Sequence, residues 1–224
     1  MRKNANAKLI ILSILAGVLV IVSFAFFFKN EEKVTLPIKL EEFADFECPA
    51  CGYYYAMVEK VVAHYGSDNV DYEFKHFPLV TIHKFAYNAS LAAEAAREQG
   101  KFSEYSHVMF VNNAIENAKT DNQEEFLTDA KLLKYAADLG LNVEKFKTDM
   151  KSDVIKARVD ADVAEASKRG IGSTPTFYIN GKQFRIQSVS GATTNEEVEA
   201  AIIKQFTDYI DARIDMANKQ KSAK

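Results

Sequence analysis

Tryptophan is absent from the 224 residues, and that excludes nothing. The scarcity of cysteine excludes more. Only Cys48 and Cys51 occur, so a zinc site built on four cysteines is ruled out. The four histidines (His64, His76, His83 and His107) show no His-x-x-x-His or similar spacing, which leaves metal binding the weaker account of the cysteine pair. Exposed positions are the plain expectation for all four. Basic charge is also in short supply. Residues 1–8 hold Arg2, Lys3 and Lys8; taking these three from 28 leaves 25 basic against 31 acidic residues. An acidic body without a basic stripe excludes nucleic acid as a partner. No internal repeat or low-complexity tract is present.

What is there begins with Leu9–Phe28, an uncharged and almost wholly apolar run of 20 residues. That length crosses a bilayer as a helix. Three cations precede it, and Lys29, Glu31, Glu32 and Lys33 after it cancel, so the cation bias places the N-terminus inside and the remainder outside. A cleaved signal peptide is the alternative, since Ser23-Phe24-Ala25 loosely fits a small-x-small site. Phe26, Phe27 and Phe28 continue the apolar run past that point and favour a retained anchor. No cysteine follows the run, which excludes lipid attachment there. Under either reading the rest of the chain faces an exported compartment where disulfides persist. The expected divisions are a cytoplasmic N-terminus (1–8), a transmembrane signal-anchor (9–28) and a stalk (29–36). A domain in two halves (37–82 and 169–212) follows, split by a helical insertion (83–168), with a polar tail (213–224). A 48% hydrophobic content with 16 Phe and 10 Tyr can build its core.

Cys48-Pro49-Ala50-Cys51 lies between a strand reading, Ile38–Phe46, and a helix reading that opens at Gly52 and ends near Gly66. At such a turn Cys48 stands at a helix N-terminus, where free N–H groups and the helix dipole favour a thiolate, the attacking species in disulfide exchange. Cys51, one turn on, can close or resolve a disulfide. Pro49 fits the first helical turn. A structural disulfide is the plain alternative, although so short a loop constrains the unfolded chain little.

The helix carries Tyr54, Met57, Val58, Val61 and Val62 at core-facing spacing. A second alternating strand, Val70–Phe77, stops at Pro78. Strand, helix and strand of these lengths imply a βαβ unit with parallel pairing. Between residues 83 and 168 glycine is confined to Gly100 and Gly140, and proline is missing. Helices are expected near 84–98, 101–116, 124–138, 142–150 (Asn142 as N-cap) and 152–168, with a weak capping box at Asp121-x-x-Glu124. Strands return at Thr176–Ile179 and Gln183–Ile186, the latter extending toward Val189, joined by the Asn180-Gly181 hairpin signal. Thr194-x-x-Glu197 then opens a final helix, and the chain from Ala217 reads as frayed.

These residues resemble the DsbA-type thioredoxin-fold disulfide oxidoreductases, including membrane-anchored forms. The resemblance rests on Glu42–Cys51, on the helical stretch after the second strand, and on Gly172-Ser173-Thr174-Pro175-Thr176-Phe177 before the hairpin. It covers about residues 37–212. It implies an α/β, thioredoxin-like fold with an all-helical insertion between its βαβ and ββα halves. It further implies Cys48 as nucleophile, Cys51 as the buried resolving partner, and a cis Thr174–Pro175 bond against the pair. The Thr174 backbone would receive an extended polypeptide. Glu42 matches an acid that assists proton transfer near the buried cysteine; its plain alternative is a solvated strand acid. The dipeptide Pro49-Ala50 departs from the Pro-His of the best-known oxidants. The implied activity is oxidation of exported, unfolded proteins by a monomer without bound cofactor or metal, reoxidised by a membrane quinone-linked partner. A reductase or isomerase of the same fold is the rival, though no dimerisation module for an isomerase is legible. A peptide-binding holdase without turnover is the rival of another class.

Overall fold

The computed structural model describes residues 33–119 and 127–223. The expectations for residues 1–8, the 9–28 span, residues 29–32 of the stalk and the Asp121–Glu124 cap lie outside them. Among the described residues no helix is long and apolar enough to cross a membrane.

Strand β1 (Ile38–Ala44) leads through a short turn into helix α1 (Pro49–Tyr65), which returns the chain to β2 (Val70–His76). β1 and β2 pair in parallel, as a helical crossover allows. Five helices follow: α2 (Ala86–Arg97), α3 (Phe102–Lys119), α4 (Asp129–Asp138), α5 (Val143–Asp149) and α6 (Asp153–Lys168). The chain then re-enters the sheet as β3 (Thr176–Ile179), antiparallel to β1, and β4 (Lys182–Phe184), before the closing helix α7 (Asn195–Ser222). The sheet order is β2-β1-β3-β4. This is a thioredoxin-like αβ core carrying an inserted helical subdomain.

Alternation along the strands sorts the two faces. Ile38 and Leu40 of β1, with Phe177 and Ile179 of β3, point toward α1 and α7 and meet Met57, Val58, Val61, Ile202, Phe206 and Ile210. The opposite face is charged and covered by α6. There Arg169 makes two hydrogen bonds to buried Glu41, at 3.0 and 3.1 Å, and Lys75 lies 3.3 Å from both Asp162 and Glu165. The insertion has its own core, which includes Leu91, Tyr105, Met109, Phe110, Leu132 and Phe146. Phe46, Phe74 and Tyr55 join it to the sheet through ring contacts with Phe110 at 4.8, 6.2 and 4.6 Å.

Several expectations change. β1 ends at Ala44 rather than Phe46, because Cys48 N–H bonds back to the Asp45 carbonyl and turns the chain. β2 likewise stops at His76. β4 is shorter than Gln183–Ile186: beyond Phe184, Gln205 of α7 accepts from Gln187 N–H and donates to its carbonyl, taking the place of a partner strand. The helix expected from 124 starts at Asp129, after extended Thr128, and α3 runs on to Lys119. The frayed tail is instead the end of α7. Ala217 is buried, and Gln220 Oε1 accepts from Val34 N–H at 3.0 Å, tying the last turns to the start of the domain. Two histidines are not exposed. His76 is buried against Glu94, 2.9 Å away, and half-buried His83 bonds to Asp45. Arg158 and Arg97 also reach Glu94, so this ion cluster pins α2 and α6 to the end of β2.

Candidate active site

The cysteines sit where β1 hands over to α1. Cys48 is the extended N-cap residue and Pro49 occupies the first turn, where its missing N–H leaves no orphan. Pro49 and Ala50 are exposed, Cys48 is 8% exposed, and Cys51 is sealed. Both are free thiols. From the far end of the chain the Thr174–Pro175 peptide, which is cis, comes up beside them. The Thr174 carbonyl lies 3.6 Å from Cys48 Sγ, close enough to accept from the thiol. Thr174 Oγ1 is buried and has no oxygen or nitrogen partner.

The two sulfurs are pushed apart electrostatically. The Cys51 thiol hydrogen-bonds to Cys48 and brings its pKa down to about 5, against the opposing effect of burial; Thr174 and the Cys51 and Ala50 amides help. Cys51 moves well above the ordinary thiol range, first by burial and then by its bond to Cys48. Such a pair holds one proton on the inner sulfur and a negative charge on the outer one.

Three acids, Glu42, Asp45 and Glu47, lie on the segment that leads to the pair. Asp45 is fully buried. Its backbone N–H points at Cys51 Sγ, 3.5 Å away. Asp45 Oδ1 accepts from Glu47 N–H at 2.8 Å, and Oδ2 accepts from Leu79 N–H and His83 Nδ1 at 2.7 and 2.8 Å. Glu47 accepts from Phe85 N–H at 2.6 Å. These bonds fasten the loop between β2 and α2 to the residues just before Cys48. Glu42 lies deeper, with no exposure, so the solvated reading of this acid is overturned. It sits on the α1 face of β1 and accepts from Tyr72 Oη at 2.7 Å. Burial drives its pKa up to about 8, the Tyr72 bond pulls it back, and Glu59 adds to the rise.

Thus Cys48, Cys51, Pro49, Ala50, Thr174 and Pro175 converge in one place, and Glu42 lies under the same helix. Asp45, Glu47, Tyr72 and His83 were not singled out by sequence; the one available signal was Asp45 as a polar break in an apolar strand. Among the described residues no group of three or more His, Cys, Asp and Glu side chains could hold a metal ion. The arrangement can carry out sulfur–sulfur exchange. It has a low-pKa sulfur at the surface end of the pair, 8% exposed, a sealed second sulfur, and a backbone carbonyl at the outer sulfur.

Comparison with known proteins gives three results. Residues 36–204 match the family described as thioredoxin. Among curated proteins, the "Na(+)/H(+) antiporter NhaA 1" of Mycolicibacterium gilvum is 34% identical over 151 residues, covering 66% of this chain and 22% of that protein. The "Na(+)/H(+) antiporter NhaA 3" of Salinispora tropica is 34% identical over 170 residues, covering 76% and 23%. The chain therefore spans less than a quarter of the length of these relatives. Among solved structures, alpha-DsbA1 of Wolbachia pipientis superposes with a TM-score of 0.62 at 22% identity, covering 85% of this chain and 94% of that one. Oxidised BdbD of Bacillus subtilis gives 0.55 at 20% identity, covering 80% and 90%. Both likenesses are of fold.

Proposed function

Since the chain belongs to the thioredoxin family, we propose that it is a thiol–disulfide oxidoreductase acting through Cys48 and Cys51, and that it works as an oxidant of exported proteins. The observation that carries the reading is the placement of Cys48 at the N-cap of α1, with Cys51 sealed one turn on and the Thr174 carbonyl 3.6 Å from Cys48 Sγ. A thiolate of an unfolded protein attacks Cys48 Sγ of the oxidised pair. A substrate–Cys48 disulfide forms and the Cys48–Cys51 bond breaks. Cys51 leaves with the electron pair and takes a proton, for which buried Glu42 is the nearby acid. A second substrate thiolate then attacks the substrate sulfur and expels Cys48 as a thiolate. Two electrons have passed to the enzyme, and the substrate holds a new disulfide. A sulfur of low pKa is a good leaving group, which favours this direction.

In this reading the substrate lies extended along Thr174, bound through its backbone with little sequence preference. Residues 9–28 anchor the enzyme in the cell membrane with the catalytic domain outside, as a monomer, and a quinone-linked membrane partner restores the disulfide. The antiport named for the curated relatives is not carried over. The chain covers less than a quarter of those proteins, and its described residues contain no helix able to cross a membrane.

Substitution at the pair tests the reading. Cys48→Ser should abolish disulfide transfer to a reduced dithiol peptide, and Cys51→Ala should accumulate a peptide–Cys48 mixed disulfide visible by mass. Peptide protection that survives Cys48→Ser unchanged would instead identify a holdase.

A further inference from the structure

Tyr72 occupies the seam of the molecule. It packs against both hydrophobic cores. It also lines a cleft of about 450 Å³ with Tyr55, Ser103 and Arg97, where β2 meets the helical insertion. Its hydroxyl donates to Glu42 Oε2 at 2.7 Å, while Glu42 Oε1 is buried without a partner. A buried carboxyl with one oxygen held and the other bare is poised for a proton or a water on the bare side.

The bare carboxyl belongs to the same neighbourhood as Cys51. Cys51, Tyr55 and Glu59 follow one another at four-residue spacing and share a face of α1. Glu59 acts electrostatically on Glu42, and Glu42 in turn acts on Tyr55. Three residues further on, just past the end of β1, the Asp45 amide touches Cys51 Sγ. The groups around Glu42 are therefore Tyr72 from β2, Glu59 and Tyr55 from the α1 face that also carries Cys51, and from β3 the uncharged Phe177 directly opposite in register. Glu104 of α3 acts on Tyr55. The strand neighbours Glu41 and Asp45 are engaged elsewhere, by Arg169 and His83.

We propose that Tyr72 is a positioning residue for disulfide exchange: its hydroxyl holds the Glu42 carboxyl and sets the pH at which Glu42 exchanges a proton with Cys51. The inference rests on the role given to Glu42 above. When the Cys48–Cys51 bond breaks under attack by a substrate thiolate, Cys51 departs with the bonding pair. Glu42 gives it a proton and becomes a carboxylate, to which Tyr72 donates. A proton from solvent then returns to Glu42. In the reverse step the Cys51 thiol passes its proton to the Glu42 carboxylate as it attacks Cys48, and the substrate sulfur leaves as thiolate.

Tyr72→Phe keeps the ring and removes the donor that favours the charged carboxylate. Glu42 then stays protonated to higher pH. The test uses the full chain with Cys48 loaded as its glutathione mixed disulfide, and follows glutathione release by Cys51 from pH 5 to pH 10. Wild type should show an alkaline limb assigned to Glu42, absent in Glu42→Gln. Tyr72→Phe should move its midpoint up by about one to two pH units, the scale of one hydrogen bond to a charged group. In the Glu42→Gln background the same change should do nothing to the profile. Should Tyr72→Phe not fold, Tyr72→Met removes the hydroxyl while adapting its shape. An unchanged profile in Glu42→Gln would overturn the role of Glu42. Loss of the limb in Glu42→Gln, with its midpoint unmoved by loss of the Tyr72 hydroxyl, would overturn the inference about Tyr72 alone.

Discussion

Cys48 and Cys51 have the same side chain three residues apart, and their surroundings give them opposite tasks. Cys48 receives hydrogen bonds at a helix start and its pKa falls to about 5; Cys51 is sealed and its thiol is held protonated. Thiolate absorbance of the reduced protein should therefore titrate with a midpoint near 5. Thr174→Val removes the buried hydroxyl whose side chain helps lower the Cys48 pKa, and should raise that midpoint. The stability consequence has a definite sign. A group whose pKa is depressed on folding contributes stability in full above its unfolded value, about 9, and loses it as pH falls through the folded value. Reduced wild type should lose stability between about pH 9 and pH 5 relative to Cys48→Ser, as read by urea unfolding across that range. At this scale the cysteines were legible because they were the only two in the chain and stood at a strand-to-helix turn. Tyr72, His76 and Asp45 were not. Their partners lie 30, 18 and 38 residues away, and a buried polar pair leaves no periodic mark on either segment.

Elements were legible in proportion to how local their causes are. The Asn180-Gly181 hairpin forms with φ of 49° and 75°, the left-handed backbone that this pair tolerates. Asn142 caps α5 through Lys145 N–H, and Thr194 and Glu197 make the full reciprocal cap of α7. Thr194→Ala should lower unfolding free energy by about 1 kcal/mol, measured by denaturant titration, without altering the thiol chemistry. Element ends set by distant contacts were missed. β4 stops early because Gln205 of α7 takes over its backbone groups, and α7 persists to Ser222 because Val34 packs and bonds there. The hydrophobic pattern of either segment alone carries no trace of this.

For the whole molecule, the order of strands and helices followed from the pattern, and the joint between the two cores did not. That joint is aromatic: Phe110 of the insertion contacts Phe46 beside the cysteines, Tyr55 of α1 and Phe74 of β2. Truncating it should do more than thin one core. Phe110→Ala should cost about 3–5 kcal/mol and loosen the wall of the cysteine site at the same time. Hydrogen exchange should then quicken in both α1 and α3; faster exchange in α3 alone would mean that the insertion does not brace the site.

We hold that the start of α1 and the hydrogen bond from the Cys51 thiol to Cys48 together make the Cys48–Cys51 pair an oxidising disulfide. It is tested most directly by the equilibrium reduction potential of the Cys48–Cys51 pair in glutathione buffers. The expected value lies above about −200 mV, toward the −120 mV of a strong oxidant, because the reduced pair is stabilised as a thiolate. A value near about −270 mV would contradict it and identify a reductase.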